Sequence, residues 1–164
     1  TGFKTLNTYL QNWEFSGFVF RQLRHMTGSG EIARLLVGGV LFIIITGLVI
    51  WQRQREKTFL RLFKIFYVIA FAYLVLTPTM HPWYALYMVV LLPFAAGSGG
   101  LALPGLTLSW SVILAYRVLI PFRLTGFWIE DDMTAFMIVL APAAAFLSVM
   151  VVQFMCRHLR IQVD

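Results

Sequence analysis

Long, unbroken apolar runs recur along this chain and leave it few folds to adopt. They cover Ile32–Trp51, Leu62–Leu76, Ala85–Ala96, Leu101–Ile120 and Met133–Met155. A helix of about 18 or more apolar residues crosses a hydrocarbon core of roughly 30 Å. Only helices and closed barrels satisfy their backbones in lipid, and runs that are continuous rather than alternating favour helices. The chain is 60% hydrophobic and 12% charged over 164 residues, with a mean hydropathy of +0.80. A soluble domain of this size has no interior large enough for that much apolar surface. The expected fold is an all-α polytopic membrane domain over residues 31–164 with about five transmembrane helices. An interfacial or re-entrant helical segment over residues 1–30 precedes it.

The formal net charge of +6 does not point to nucleic acid, because the basic residues sit in short segments between apolar runs. Arg53, Arg55, Lys57, Arg61 and Lys64 follow the first run, Lys64 already inside the first turn of the second, and Arg157 and Arg160 end the last. Five spans place both clusters on one face, the cytoplasmic one by the positive-inside rule. The N-terminal segment and the 122–132 loop then lie outside. Pro121 reads as the stop of the fourth run, and Gly97-Ser98-Gly99-Gly100 as a tight inner turn. Cys156 is the only cysteine, so an intrachain disulfide and a multi-cysteine metal site are excluded. In the first segment Leu6, Tyr9, Leu10, Trp13, Gly17 and Phe20 recur at helical spacing, with Ser16-Gly17 as a break and Arg21, Arg24 and His25 as a basic end. The chain begins at Thr1 without a signal-peptide pattern and reads as the C-terminal part of a larger membrane protein.

Between the second and third runs lies Thr77-Pro78-Thr79-Met80-His81-Pro82-Trp83-Tyr84, a polar, aromatic octet stiffened by two prolines. His81 can donate to a phosphate or a sugar hydroxyl, and Trp83 and Tyr84 can stack on a sugar face. The competing reading is an outer turn with an interfacial aromatic belt. Arg117 lies near the outer end of the fourth run, where it either snorkels to the headgroups or grips a phosphate through its planar fork. Arg123 is placed similarly, with snorkelling favoured. Glu130-Asp131-Asp132 precedes the fifth run and reads first as a helix cap, second as an acid pair or cation site. Glu14, between Trp13 and Phe15, is either a sugar contact or a solvated acid. No phosphate loop, zinc ligand set or nucleophile triad is legible.

Two segments together resemble a known family. Tyr9-Leu10-Gln11-Asn12-Trp13-Glu14-Phe15-Ser16-Gly17 and the Thr77–Tyr84 octet look like paired outer-loop signatures of polytopic membrane glycosyltransferases of the GT-C type, the mannosyltransferase-like family 87. Ser16 stands where that family carries Asn, and Thr77 where it carries Ser. The resemblance implies transfer of a hexose, mannose above all, from a polyprenyl-phosphate-sugar donor to a lipid or glycan acceptor. It implies a site on the extracytoplasmic side of a bacterial plasma membrane; no cofactor is expected beyond the donor substrate, with a divalent metal left open. His81, Trp83, Tyr84, Trp13 and Glu14 would face the substrates, Arg117 and Arg123 the donor phosphate. The catalytic acidic residue of such enzymes lies in the first outer loop, which would precede Thr1. Two other functions use the same residues: a transporter or flippase for lipid-linked sugars, and a non-catalytic membrane assembly subunit.

Overall fold

A computed structural model describes residues 14–55, 58–95, 102–127 and 131–161. Helix α1 (Phe18–Thr27) is short and amphipathic, and Gly28 ends it in the left-handed conformation at φ 66°, which costs glycine nothing. Ser29 caps α2 (Gly30–Arg53), its hydroxyl accepting from the Ile32 N–H. Thr58 caps α3 (Phe59–Leu76) in the same way through the Arg61 N–H. A single 3₁₀ turn, Pro82–Tyr84, leads into α4 (Ala85–Ala95). The next rod begins as α5 (Ala102–Ser111), tightens to a 3₁₀ stretch over Val112–Val118 and resumes as α6 (Leu119–Thr125). The last begins with α7 (Asp132–Ala135), widens to a π-helical stretch over Phe136–Leu140 and continues as α8 (Ala141–Ile161).

The fold is all-α, but the number of full spans differs from the sequence expectation. Three rods are long and apolar enough to cross a membrane: Gly30–Arg53, Phe59–Leu76 and Ala102–Thr125. The other two apolar helices, Pro82–Ala95 and Phe136–Val152, are shorter. At about 1.5 Å per residue the first extends only about 21 Å, short of a core of roughly 30 Å; the second opens on a π-helical stretch, and its helix runs on past the apolar part to Ile161. The expected count of five is therefore corrected to three helices long and apolar enough to cross. Pro121 is likewise no stop, since α6 runs through it to Thr125. The 3₁₀ stretch explains why: helix geometry restarts at Leu119, so Pro121 falls in a first turn, where its missing N–H costs little. Pro104 and Pro142 also lie in the first turns of α5 and α8. The glycine-rich turn at 97–100 lies outside the described residues.

One core binds α3, α4, α5 and α8, with Tyr67, Leu74, Met88, Leu108, Val112 and Val139 buried in it. A smaller one joins α1 to α2 through Phe20, Ala33 and Val37. The α2 surface is otherwise apolar and open, with Phe42 and Ile43 at 69% and 70% exposure, as suits a lipid-facing helix. The α3–α5 contact depends on a missing side chain. A Cβ on Gly105 would stand 1.7 Å from the Tyr67 hydroxyl and 2.6 Å from Met88 Cε. Tyr67 is 1% exposed, so its ring cannot swing out of the core. Gly105→Ala is therefore expected to destabilise the fold by about 1–3 kcal/mol through overpacking, seen as a lower melting temperature in detergent. Tyr67→Phe in the same chain removes the nearest clashing atom and should restore part of it, since Tyr67 Cζ and Met88 Cε would still stand 2.6 Å from the new methyl. An unchanged melting temperature for Gly105→Ala would contradict this packing.

Candidate functional site: an aromatic stack at a strand-like clasp

The described end of the first resemblance segment, Glu14 to Gly17, meets the octet in space. The Phe15 N–H donates to the Pro78 carbonyl at 3.1 Å, and the Met80 N–H donates to the Phe15 carbonyl at 2.7 Å. These bonds clasp Phe15 against Thr79 as an isolated parallel bridge. The octet itself is braced by Thr77, whose hydroxyl donates to the Thr79 carbonyl at 3.1 Å. Thr77, Thr79, Met80 and His81 are all buried. This part of the octet is thus an internal joint rather than an exposed turn.

Backbone geometry on the other side of the clasp is just as constrained. Ser16 adopts φ 52°, a left-handed conformation costing a residue with a Cβ about 1–2 kcal/mol. Asn and Gly tolerate it better than Ser. Gly17 follows, buried, and a Cβ there would lie 2.3 Å from the Pro78 carbonyl oxygen and 2.8 Å from Pro78 Cα. Only glycine lets the two backbones approach this closely. Gly17 is also the N-cap of α1, so the expected break at Ser16-Gly17 marks where the helix begins.

The clasp assembles five rings. His81 stacks on Phe15 with centroids 5.0 Å apart and on Trp83 at 4.1 Å. Tyr84 meets His81 edge-on at 5.7 Å. Tyr116, from the 3₁₀ stretch, tilts against Phe15 at 5.8 Å and Trp83 at 6.3 Å. Such offset and edge-on pairs contribute about 0.5–1.5 kcal/mol each beyond area burial. His81 is 7% exposed, whereas Trp83 is 52% exposed, so Trp83 is the open face of the stack. Phe136 of the π-helical stretch extends the cluster through Phe18, at 4.6 Å. Ser111 donates to the Val139 carbonyl at 2.7 Å, joining the 3₁₀ and π segments. The 3₁₀ stretch that carries Tyr116 and the π-helical stretch bonded to it both depart from α geometry, the kind of local distortion common at functional sites.

His81, Trp83 and Tyr84 are therefore brought together, and Trp13 lies outside the described residues. Glu14 is adjacent to the clasp, but its carboxylate accepts from Arg24 of α1 at 2.7 Å. That ion pair gives Glu14 a role in holding α1 to the clasp. Arg117 follows Tyr116 in the 3₁₀ stretch and is half-buried. Arg123 is exposed in the last turn of α6, where a cation complements the helix dipole. Asp131 accepts from the Thr134 N–H at 2.8 Å and from the Thr134 hydroxyl, the capping reading of the acidic trio. The Thr134 bonds hold its carboxyl below the usual carboxylate range, and the charge of Arg117 contributes in the same direction. Among the described residues no group of three potential metal ligands occurs.

Phe15 and Tyr116 were not singled out from sequence. Phe15 sits inside the first resemblance segment, which is a usable signal. Tyr116 stands in an apolar run and resembles any packing residue.

Burial lowers the His81 imidazole from its ordinary 6.5. Between that lowered value and 6.5 the unfolded chain binds more protons than the folded one, so stability falls as pH falls through this window. Acidification from about pH 7.5 to about pH 5.5 should therefore lower the melting temperature of the wild type more than that of His81→Phe, which keeps a stacking ring without the titration. Equal shifts for the two proteins would contradict a buried neutral imidazole.

No protein-family profile, curated protein or solved structure matches this chain.

Proposed function

We propose that the ring stack is the sugar-binding wall of a membrane glycosyltransferase that transfers a hexose, mannose in the first instance, from a polyprenyl-phosphate donor to a lipid or glycan acceptor. The observation that carries this reading is the clasp. Two segments far apart in sequence, each resembling a glycosyltransferase signature, are hydrogen-bonded to one another through Phe15, Pro78 and Met80. The joint exposes a tryptophan beside a stacked imidazole, and such faces bind sugars through C–H contacts and directed hydrogen bonds.

The chemistry fits a lipid-phosphate donor. Departure of the phosphate from an anomeric carbon builds positive charge on the sugar and negative charge on the leaving oxygen. Cations near the phosphate stabilise that transition state. Arg117, beside Tyr116 of the stack, has the fork geometry to hold it, and Arg123 adds a second cation nearer the helix end. The stack binds and orients the sugar. Glu14 is engaged by Arg24, so the general base belongs to a residue outside this set. The reading places the site on the extracytoplasmic face, at the end of α3 opposite the Arg53–Arg61 cluster.

The test uses the intact protein in sealed membrane vesicles of known orientation. Labelled mannose should move from polyprenyl-phosphate-mannose to a lipid or glycan acceptor when the donor faces the outer side. A nucleotide sugar should not substitute. Failure to transfer from every polyprenyl-phosphate hexose tried, with the protein correctly inserted, would refute the proposal.

A further inference from the structure

At the end of α3 remote from His81 a cavity of about 530 Å³ opens between α2 and α3. Its walls are apolar, with Ile45 and Val49 on α2 facing Leu62 and Ile69 on α3. Gln52, Arg53 and Thr58 stand at the end where the two helices join. The 18 residues of α3 put this mouth about 27 Å from the octet, so it is separate from the ring stack.

Three observations identify what fits. The mouth carries a cation, Arg53, exposed and lining the cavity. The surrounding segment adds Arg55 and Arg61, with Arg61 lying over the Trp51 ring at 5.4 Å and so fixed at the same end. The Gln52 side-chain oxygen Oε1 is buried and has no hydrogen-bond partner among the described residues. An acceptor left without a donor at depth costs about 1–3 kcal/mol, so a donor-bearing ligand relieves it. The groove extends from Arg53 back to Ile45, about 12 Å along α2, room for a good part of one acyl chain.

We infer that this groove is a binding site for an anionic glycerophospholipid with a hydroxylated headgroup. The phosphate lies against Arg53, a headgroup hydroxyl donates to Gln52 Oε1, and one acyl chain lies between α2 and α3. Charge complementarity chooses an anionic lipid over a zwitterionic one, and the Gln52 acceptor chooses a headgroup with a donor. The inference does not rest on glycosyl transfer.

The experiment is native mass spectrometry of the full-length protein released from nanodiscs of phosphatidylglycerol mixed equally with phosphatidylcholine. One phosphatidylglycerol should be retained in preference to phosphatidylcholine. Arg53→Ala, at an exposed position that leaves the core intact, should lower that retention about fivefold, as loss of one basic residue near a lipid surface does. Gln52→Leu should lower the preference between lipids with little effect on phosphatidylcholine. Val49→Trp, which fills the groove, should remove the retained lipid. Equal retention of the two lipids, or no change with Arg53→Ala, would overturn the inference. So would a photo-crosslinker at position 49 that captures another stretch of the protein instead of lipid.

Discussion

Arg117→Ala is expected to slow hexose transfer by about 30- to 4,000-fold. Removing one partner from a desolvated charge pair costs roughly 2–5 kcal/mol, and the rate loss is that energy felt in the transition state. The position supports the expectation. Arg117 is half-buried in the 3₁₀ stretch, next to the Tyr116 ring that contacts Phe15 and Trp83. Arg117→Lys keeps the charge but loses the two-pronged geometry and should fall between alanine and wild type. The measurement is initial rate at equal membrane abundance, with the donor concentration varied. A full rate for the alanine variant would make Arg117 an interfacial anchor that snorkels to the headgroups.

Gly17→Ala should be nearly as damaging, through the backbone alone. The new methyl would meet the Pro78 carbonyl oxygen at 2.3 Å and its carbon at 2.6 Å, and neither is the end of a flexible side chain. The clasp must open, losing the two bonds at Phe15, each worth about 1 kcal/mol. His81 would then lose its Phe15 neighbour. A displacement of about 1 Å at a reacting site costs on the order of 100-fold, so transfer should drop by about that factor while the membrane helices remain inserted. Ser16→Gly is the control: it occupies the same left-handed backbone without strain and should leave transfer intact. Loss of transfer in both variants alike would show that the segment tolerates no change at all, and the specific argument from Pro78 would fail.

Much of the site was legible because its residues are chemically conspicuous where they stand. A histidine between prolines, followed by Trp83 and Tyr84 at the edge of an apolar run, is an unusual sequence to find beside lipid-facing helices. The resemblance joined it to the Glu14–Gly17 stretch, and the Phe15 clasp brings those stretches together. What the sequence hid is long-range geometry. Nothing local marks Tyr116 as a ring partner of Trp83, because an aromatic in an apolar run packs somewhere in any fold. The burial of Thr77, Thr79 and Met80 was equally hidden, since a polar segment between two runs reads as solvent-facing until another chain segment covers it.

The span count failed for a different physical reason. Hydropathy reports whether a segment tolerates lipid, and length decides whether it crosses. Ala85–Ala95 is apolar throughout, yet its rod is too short, and the apolar stretch Phe136–Val152 opens on π-helical geometry within a helix that runs on to Ile161. Proline misled in the same way. Pro121 breaks a continuous α-helix, but the 3₁₀ stretch before it had already interrupted the α-helical ladder.

The central claim is that the ring stack around His81 handles the sugar during transfer. The rate of mannose transfer by intact His81→Ala protein, compared with wild type at matched abundance in membranes, tests it most directly. His81 lies outside the long apolar helices, so insertion should be preserved and any effect should belong to the site. The account predicts a drop of at least about tenfold, the loss of one hydrogen bond to a charged or developing-charge group. A wild-type rate from correctly inserted His81→Ala would contradict it and leave the stack as a structural joint.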